Sequence, residues 1–433
     1  MRILYVSGII PYPPHGGVLQ RNFNLLRELK RHGAVVHLLA FHHPNELPHG
    51  APLEHSKQVL GELCEAVEYG ELWPKKSRLH LLAALGLAAF SRDPFAVRAH
   101  YSPWLARRVS ELAASGRFDL VHLDTVSFAP YTRLTHGLPV VCAHQNVESQ
   151  LFERRAAHER GWLQRRYVAR QARLLHRLER DTCGRYATNI MVSDDDARTL
   201  RAVCPQARTS VIANGVDTDY FAPRDGGTEP CIVFTGSMRM FANSDAVRWF
   251  LEEIWPGVKA RVPDARFVAI GRQPSAFALD YAARDAHVEV PGFVDDVRPW
   301  VARAALYVVP MRVGGGTRLK VLDAMAQGKA IVSTRLGAEG IDIEAGVHYA
   351  AADEPRAFTD TVVRLLGDAT ERARLARAAC ERAQQKYSWT ALGRQLHQVY
   401  AQVARGARTA AADGAVLAPP ATGNFRTGNP ESR

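Results

Sequence analysis

The sequence predicts an α/β protein built from two doubly wound, Rossmann-like parallel sheets that face a cleft. Three observations carry that expectation. At 433 residues the chain is too long for a single hydrophobic core. Short runs rich in Val and Ile alternate with helix-length amphipathic segments from end to end. The runs also fall into two series, parted by "NGVDTDYFAPRDGGTEP" (214–230), where Gly, Pro and Asp displace any apolar period.

The first series reads "RILYVS" (2–7), "VVHLLAF" (35–41), "DLVHLD" (119–124), "PVVCAH" (139–144), "NIMVS" (189–193) and "TSVIA" (209–213). The second reads "CIVFTG" (231–236), "RFVAIG" (266–271), "HVEVPG" (287–292), "LYVVP" (306–310) and "AIVST" (330–334). Apolar residues follow one another directly within these runs, as in strands covered by helices on both faces. The expected plan is a first domain over 1–213, a linker over 214–230 and a second domain over 231–387. Residues 370–405 read as helical with a bend at "KYSW" (386–389). The tail 406–433, rich in Gly, Pro and small polar residues, is expected to be disordered. No internal repeat appears beyond this doubling.

Composition narrows the function classes. A hydrophobic fraction of 47% and a charged fraction of 23% are ordinary for a soluble globular protein. No segment reaches the roughly 18 apolar residues that cross a bilayer. "LHLLAALGLAAF" (79–90) falls short and reads as a buried or interfacial helix. The opening "MRILYVSGII" reads as a strand rather than a signal peptide. The six cysteines stand at neither zinc nor redox spacing, so buried thiols in a reducing cytosol are expected. The net charge of +11 suits anionic partners. No nucleic-acid module accompanies it, so nucleic acid is not an expected partner.

Two glycine-rich stretches point to phosphate chemistry. In "SGIIPYPPHGGVLQRNFNLLREL" (7–29), Gly16 and Gly17 precede a helix whose free N–H groups can meet an anion. A tight turn closing a βα unit fits the same residues. The stretch lacks the G-x-G-x-x-G spacing of a dinucleotide fingerprint. In "VVPMRVGGGTRLKVLDAMAQGKAIVSTR" (308–335), Gly314, Gly315, Gly316 and Thr317 lead into a helix, and Arg318 and Lys320 follow at once. Lys320 is misplaced for a Walker A loop. Three glycines followed by two cations favour a diphosphate cradle over an incidental Lys320/Asp323 surface pair. Asp323, roughly 9 Å along that helix, is placed for ribose hydroxyls.

Other polar residues follow strand ends, where doubly wound sheets bind ligands. They are His122 and Asp124 in "VHLDTV", then His144, Asn146 and Glu148 in "VVCAHQNVES". The acidic runs "SDDDA" (193–197) and "FVDDV" (293–297) read as helix caps rather than a metal site. In "ERRAAHERGWLQRRYVARQARLLHRLERD" (153–181), arginines interleave with Trp and Leu. That pattern describes either a solvated helix face or one lying on an anionic leaflet.

Taken in order, several stretches resemble the family-four glycosyltransferases of the GT-B fold. They are the "GG" loop-helix, "ANGVDTDYF" (213–221), "FTGSM" (234–238), "PGFVDDV" (291–297), "GGGTRLKVLDAMAQGKAIVST" (314–334) and "YSW" (387–389). The resemblance spans nearly the whole chain except the tail. It implies transfer of a sugar from a nucleotide diphosphate sugar to a lipid-linked or polysaccharide acceptor, with retention, no bound metal and no further cofactor. It implies that the closing helix 388–404 packs back on the first domain. It also implies a cytoplasmic protein, either free or peripheral on the inner face of the plasma membrane.

Carried over by position, the resemblance puts the diphosphate on Gly16, Gly17, Gly314, Gly315, Gly316, Thr317, Arg318 and Lys320. The ribose falls on Asp323 and the base near Gly292, Phe293 and Val294, with a further donor loop at Gly236, Ser237 and Arg239. His144, Arg318 and Lys320 take the catalytic places, and Asp124, Asn146 and Glu148 the acceptor side. The family's first motif acid falls on Gly315. Its absence fits a subgroup with G-x-G-x-R-x-K-x-L-[ED]-A, and also motivates a nucleotide-sugar-binding scaffold without turnover. Another GT-B enzyme, such as a sugar-nucleotide epimerase, is a further alternative.

Overall fold

A computed structural model describes residues 1–14, 17–44, 47–71, 91–159, 161–224, 229–313 and 318–412, with backbone alone for 158 and 410–412. The 79–90 segment, Gly16, Gly314, Gly315, Gly316 and Thr317 lie outside the described residues.

The first sheet contains β1 (Arg2–Ser7), β2 (Val35–His42), β3 (Ala66–Glu71), β4 (Leu120–Leu123), β5 (Val140–Ala143), β6 (Thr188–Met191) and β7 (Thr209–Val211). The second contains β8 (Cys231–Thr235), β9 (Arg266–Ile270), β10 (Val288–Gly292), β11 (Leu306–Val309), β12 (Ala330–Ser333) and β13 (Ala350–Ala351). The orders are β3-β2-β1-β4-β5-β6-β7 and β10-β9-β8-β11-β12-β13, and all neighbours are parallel. The order reverses between β1 and β4, and again between β8 and β11. Carboxyl ends diverge at such switch points and leave a crevice for ligands.

The helices that bear on the site are α1 (Gly17–Arg31), α2 (Phe95–Ala99), α3 (Glu148–His158), α4 (Trp162–Thr182), α5 (Phe241–Trp249), α6 (Leu319–Ala326) and α7 (Trp389–Ala412). Strands β1, β4, β5, β8, β11 and β12 are buried along nearly their whole length. Their cores lie between sheet and helices on both faces, which is why their sequences are unbroken apolar runs.

Two strands escaped the sequence reading, β3 and β13, and both lie at sheet edges. In "AVEYGE" half-exposed residues interrupt the apolar run, and β13 has only two residues. The tail expectation needs a correction at its start, because α7 continues through Ala412 instead of giving way to disorder at 406. Alanines there sustain the helix, and Arg408 pairs with Asp119 just before β4, at the amino end of the first sheet.

The stretch read as a linker is tightly held where it leaves the first sheet. Arg21, 1% exposed, donates from Nη2 to the Ile212 carbonyl at 2.7 Å. Its Nη1 reaches the Ala213 carbonyl at 2.6 Å and Asn214 Oδ1 at 3.1 Å. Val216 bridges Ser388, and a Cβ on Gly215 would come within 2.7 Å of Trp389 and Leu392. The helix α7 then crosses back to α1. Its Tyr400 hydroxyl meets His122 Nδ1 of β4 at 2.6 Å, and Tyr5 of β1 stacks on the same imidazole.

Candidate functional site

The second sheet's switch point is built around two glycines. Gly236 leaves β8 with φ 153°, a conformation that L side chains rarely adopt. A Cβ there would stand 2.6 Å from Lys320 Nζ, and one on Gly271 would overlap the Gly236 carbonyl oxygen. Gly236 N donates to Ile270 O at 2.8 Å and Gly271 N to Gly292 O at 2.9 Å. These bonds hold the loops after β8, β9 and β10 level with one another.

The helix α6 faces this ledge. Val321, Leu322, Ala324, Met325 and Ala326 are buried against the sheet, which turns Lys320 and Asp323 toward the carboxyl edge. Lys320 Nζ donates to Asn243 Oδ1 of α5 at 2.6 Å and lies 4.2 Å from the centroid of the Phe234 ring. Burial pulls its pKa down to about 7, helped by Arg318 and opposed by Asp323. Burial pushes the Asp323 carboxyl up to about 7, opposed by Lys320. That carboxylate takes no hydrogen bond among the described residues. Arg318 is buried, and burial lowers its pKa. Groups whose charged forms the protein solvates poorly become well solvated when a complementary charge or hydroxyl arrives.

The remaining donor-side expectations line the same edge. Gly292 turns with φ 77°, and the exposed Phe293 ring lies 4.4 Å beneath the Arg272 guanidinium. Val294 is half-buried beside it. The Ser237 carbonyl accepts from Asn243 Nδ2 at 2.8 Å, so Asn243 ties Lys320 to the β8 loop. Arg239 is exposed.

At the first sheet the candidate residues divide. Asp124 is wholly engaged within the protein. It accepts from Ser7 Oγ at 2.7 Å, Gly8 N at 3.0 Å and Asn22 Nδ2 at 2.9 Å. Burial raises its pKa to about 6, against those three donors. It therefore fastens the loop after β1 to α1, where Gly17 is the exposed first residue.

His144 is buried, and its Nε2 meets Asn189 Oδ1 at 3.0 Å. Asn189 spends its amide protons on the carbonyls of Cys183 and Arg208, so its Oδ1 can only accept. The ring proton is therefore on Nε2, and Nδ1 carries a lone pair with no partner among the described residues. Burial lowers the pKa to about 4, which keeps the ring neutral near pH 7.

Asn146 is half-buried in the following loop. Glu148 opens α3, and its carboxyl is pushed up to about 7 by burial and by Glu179. Glu179 itself accepts from Ser149 N at 3.3 Å and from the Ser149 hydroxyl, closing the start of α3. Between the loops after β1 and β2 lies a largely apolar cavity of ≈ 330 Å³, lined by Ile9, Ile10, Tyr12, Pro13 and Leu47 among others.

The acidic runs act locally. Ser193 caps its helix by accepting from Asp196 N at 3.1 Å, and Asp296 holds Arg298. Among the described residues, no group of three or more His, Cys, Asp or Glu is placed to hold a metal ion. Asn243, Arg21 and Glu179 were singled out by no sequence signal, and Phe234 lies in "FTGSM" without having been given a role of its own.

Two family models match the chain: Glycosyltransferase Family 4 over residues 15–220 and Glycosyl transferases group 1 over residues 229–368. Phosphatidyl-myo-inositol mannosyltransferase of Mycobacterium tuberculosis is 26% identical over 328 residues, covering 71% of this chain and 80% of the relative. HepE from Anabaena, solved with UDP, superimposes with TM-score 0.62 at 15% identity, covering 93% of this chain and all of that one. Sucrose-phosphate synthase from Thermosynechococcus elongatus gives 0.63, also at 15% identity, over 94% of this chain and 100% of its own.

Proposed function

The chain is a glycosyltransferase of family four with the GT-B fold, and from that premise we propose that it transfers a sugar from a nucleoside diphosphate donor to a lipid-linked or polysaccharide acceptor, with retention and without a bound metal. One observation carries the donor half. A half-buried lysine, a buried arginine and a half-buried carboxylate that takes no hydrogen bond among the described residues converge at the switch point of the second sheet.

In this reading Arg318 and Lys320 receive the diphosphate, and Asp323 accepts from the ribose hydroxyls. The negative charge that grows on the departing diphosphate is met by cations already in place, and in many enzymes such preorganised stabilisation accelerates the reaction more than any other effect. Neutral His144 offers its Nδ1 lone pair to a hydroxyl at the first sheet's edge. Two likenesses support the chemistry: a relative that is a phosphatidyl-myo-inositol mannosyltransferase and a fold neighbour solved with UDP.

The decisive experiment incubates the full chain with isotope-labelled nucleotide sugars and membrane lipid extract, with and without a chelator. Labelled product that persists with the chelator is expected. Nucleoside diphosphate binding without product from any donor would instead establish the scaffold reading that Gly315 motivates.

The pH dependence of donor binding has a definite sign. Lys320 loses its proton above about pH 7 in the free protein, whereas a bound diphosphate favours the ammonium. Affinity therefore falls as pH rises through 7, toward about tenfold per unit. Asp323 gains a proton below about pH 7, whereas ribose hydroxyls donate to the carboxylate, so affinity also falls on the acid side. Calorimetric titration with a nucleoside diphosphate is expected to show an affinity maximum near pH 7. A monotonic profile through that region refutes the assignment.

A further inference from the structure

The helices α3 and α4 form an antiparallel hairpin, because Ser149 near the start of α3 bonds Glu179 near the end of α4. The second helix has 21 residues and is roughly 31 Å long, far more than the four-residue strands β5 and β6 that the hairpin connects. It must therefore overshoot the sheet.

The side on which it does so follows from Gln171. Its Oε1 accepts from Phe95 N at 2.8 Å at the start of α2. That short helix leads to His100, whose ring lies against Gly8 at the carboxyl end of β1. Residue 171 thus stands near the carboxyl edge, and residues 162–166 project roughly 7–13 Å beyond it. This is the rim that holds His144, Asn146 and Glu148.

What projects there is unusual for a surface in water. Residues 161–166 are all exposed, with Trp162 at 69% and Leu163 at 64%. Arg165 and Arg166 stand directly behind the two apolar residues. A protein partner would be expected to cover a broader apolar face than two adjacent side chains. A bilayer interface suits an apex of Trp and Leu with a collar of cations, because the indole settles among headgroups while guanidinium groups meet lipid phosphates.

We propose that the tip of this hairpin, Trp162 and Leu163 backed by Arg165 and Arg166, docks the acceptor-side rim on an anionic phospholipid bilayer. The inference rests on the proposed lipid-linked acceptor and adds the surface by which the protein reaches it. The apex enters the headgroup layer while the rim faces the membrane, so an acceptor embedded in the leaflet need leave it only by its polar end.

The test is co-flotation of the full chain with phosphatidylcholine vesicles, with and without phosphatidylglycerol. The wild type is expected to float with the anionic vesicles and to float much less with the neutral ones. Trp162→Ser with Leu163→Ser is expected to lower the partition coefficient about tenfold or more. Arg165→Gln with Arg166→Gln is expected to do the same at low salt, and to have less effect at high salt. Both variants remove exposed side chains only, so thermal unfolding and transfer to detergent-solubilised acceptor should match the wild type.

Wild-type flotation that is absent, or equal on the two vesicle types, overturns the proposal. So does unchanged flotation of either double variant. A protein that docks yet transfers no sugar refutes the functional reading alone. One that glycosylates detergent-solubilised acceptor yet never floats refutes the docking alone.

Discussion

Lys320→Met is expected to lower kcat/KM for sugar transfer by on the order of 10²–10³-fold, with the fold intact. The methionine keeps an unbranched side chain, one atom shorter, beside the Phe234 ring, and it removes the charge together with the hydrogen bond to Asn243 Oδ1. In the free protein that charge is poorly solvated, as its pKa near 7 records. Replacing it should leave thermal stability equal or slightly higher. Activity and stability thus move in different directions, which a merely structural lysine would not produce. Steady-state kinetics beside a thermal melt reads both. An unchanged kcat/KM would remove Lys320 from the transfer step, and parallel losses in both would make it a structural residue. Proton uptake on diphosphate binding above pH 7 should also vanish in this variant.

Arg21→Ala is expected to destabilise the protein by about 3–5 kcal/mol. The guanidinium is buried without a carboxylate partner among the described residues and supplies three hydrogen bonds to Ile212, Ala213 and Asn214. Truncation leaves those acceptors unpaired and opens a cavity beneath the point where the chain leaves the first sheet. Arg21→Lys should recover only part of the loss, because a single ammonium cannot span the acceptors that the planar fork reaches. Urea unfolding measures both variants, and a loss below about 1 kcal/mol for alanine would show that the contacts contribute little. The neighbouring Asn22 belongs to the Asp124 clamp, so the first turns of α1 tie both the β1 loop and the interdomain crossing to one rigid element.

The membrane-facing reading of residues 153–181 shows how pattern and structure divide the work. The interleaving of Arg with Trp and Leu was visible in the chain, yet it fitted a solvated face equally well. Packing then sorted the apolar residues. Val168, Ala172, Leu175 and Leu178 are buried, whereas Trp162 and Leu163 stand out at the turn. Asp124 is a contrary case. Its place at a strand end suggested contact with an acceptor, and the fold instead committed both of its oxygens to Ser7, Gly8 and Asn22. Likewise α7 outran its expected end, since alanines between small polar residues carry a helix whose first turns are already anchored.

By itself the sequence determined the fold class, the division of the strands into two series (all but the edge strands β3 and β13), and the run of cations and carboxylate after the glycines. These are local properties: an unbroken apolar run marks a doubly covered strand, and three glycines before Arg318 and Lys320 can be read without knowing any neighbour. Only the tertiary structure decided that Lys320 rests on Asn243 and Phe234, that His144 is neutral with its proton on Nε2, and that Tyr400 closes on His122. Those facts depend on contacts between residues 77, 45 and 278 positions apart. Parallel sheets gather the carboxyl ends of distant strands onto one edge, and no periodicity along the chain records which side chains will meet there.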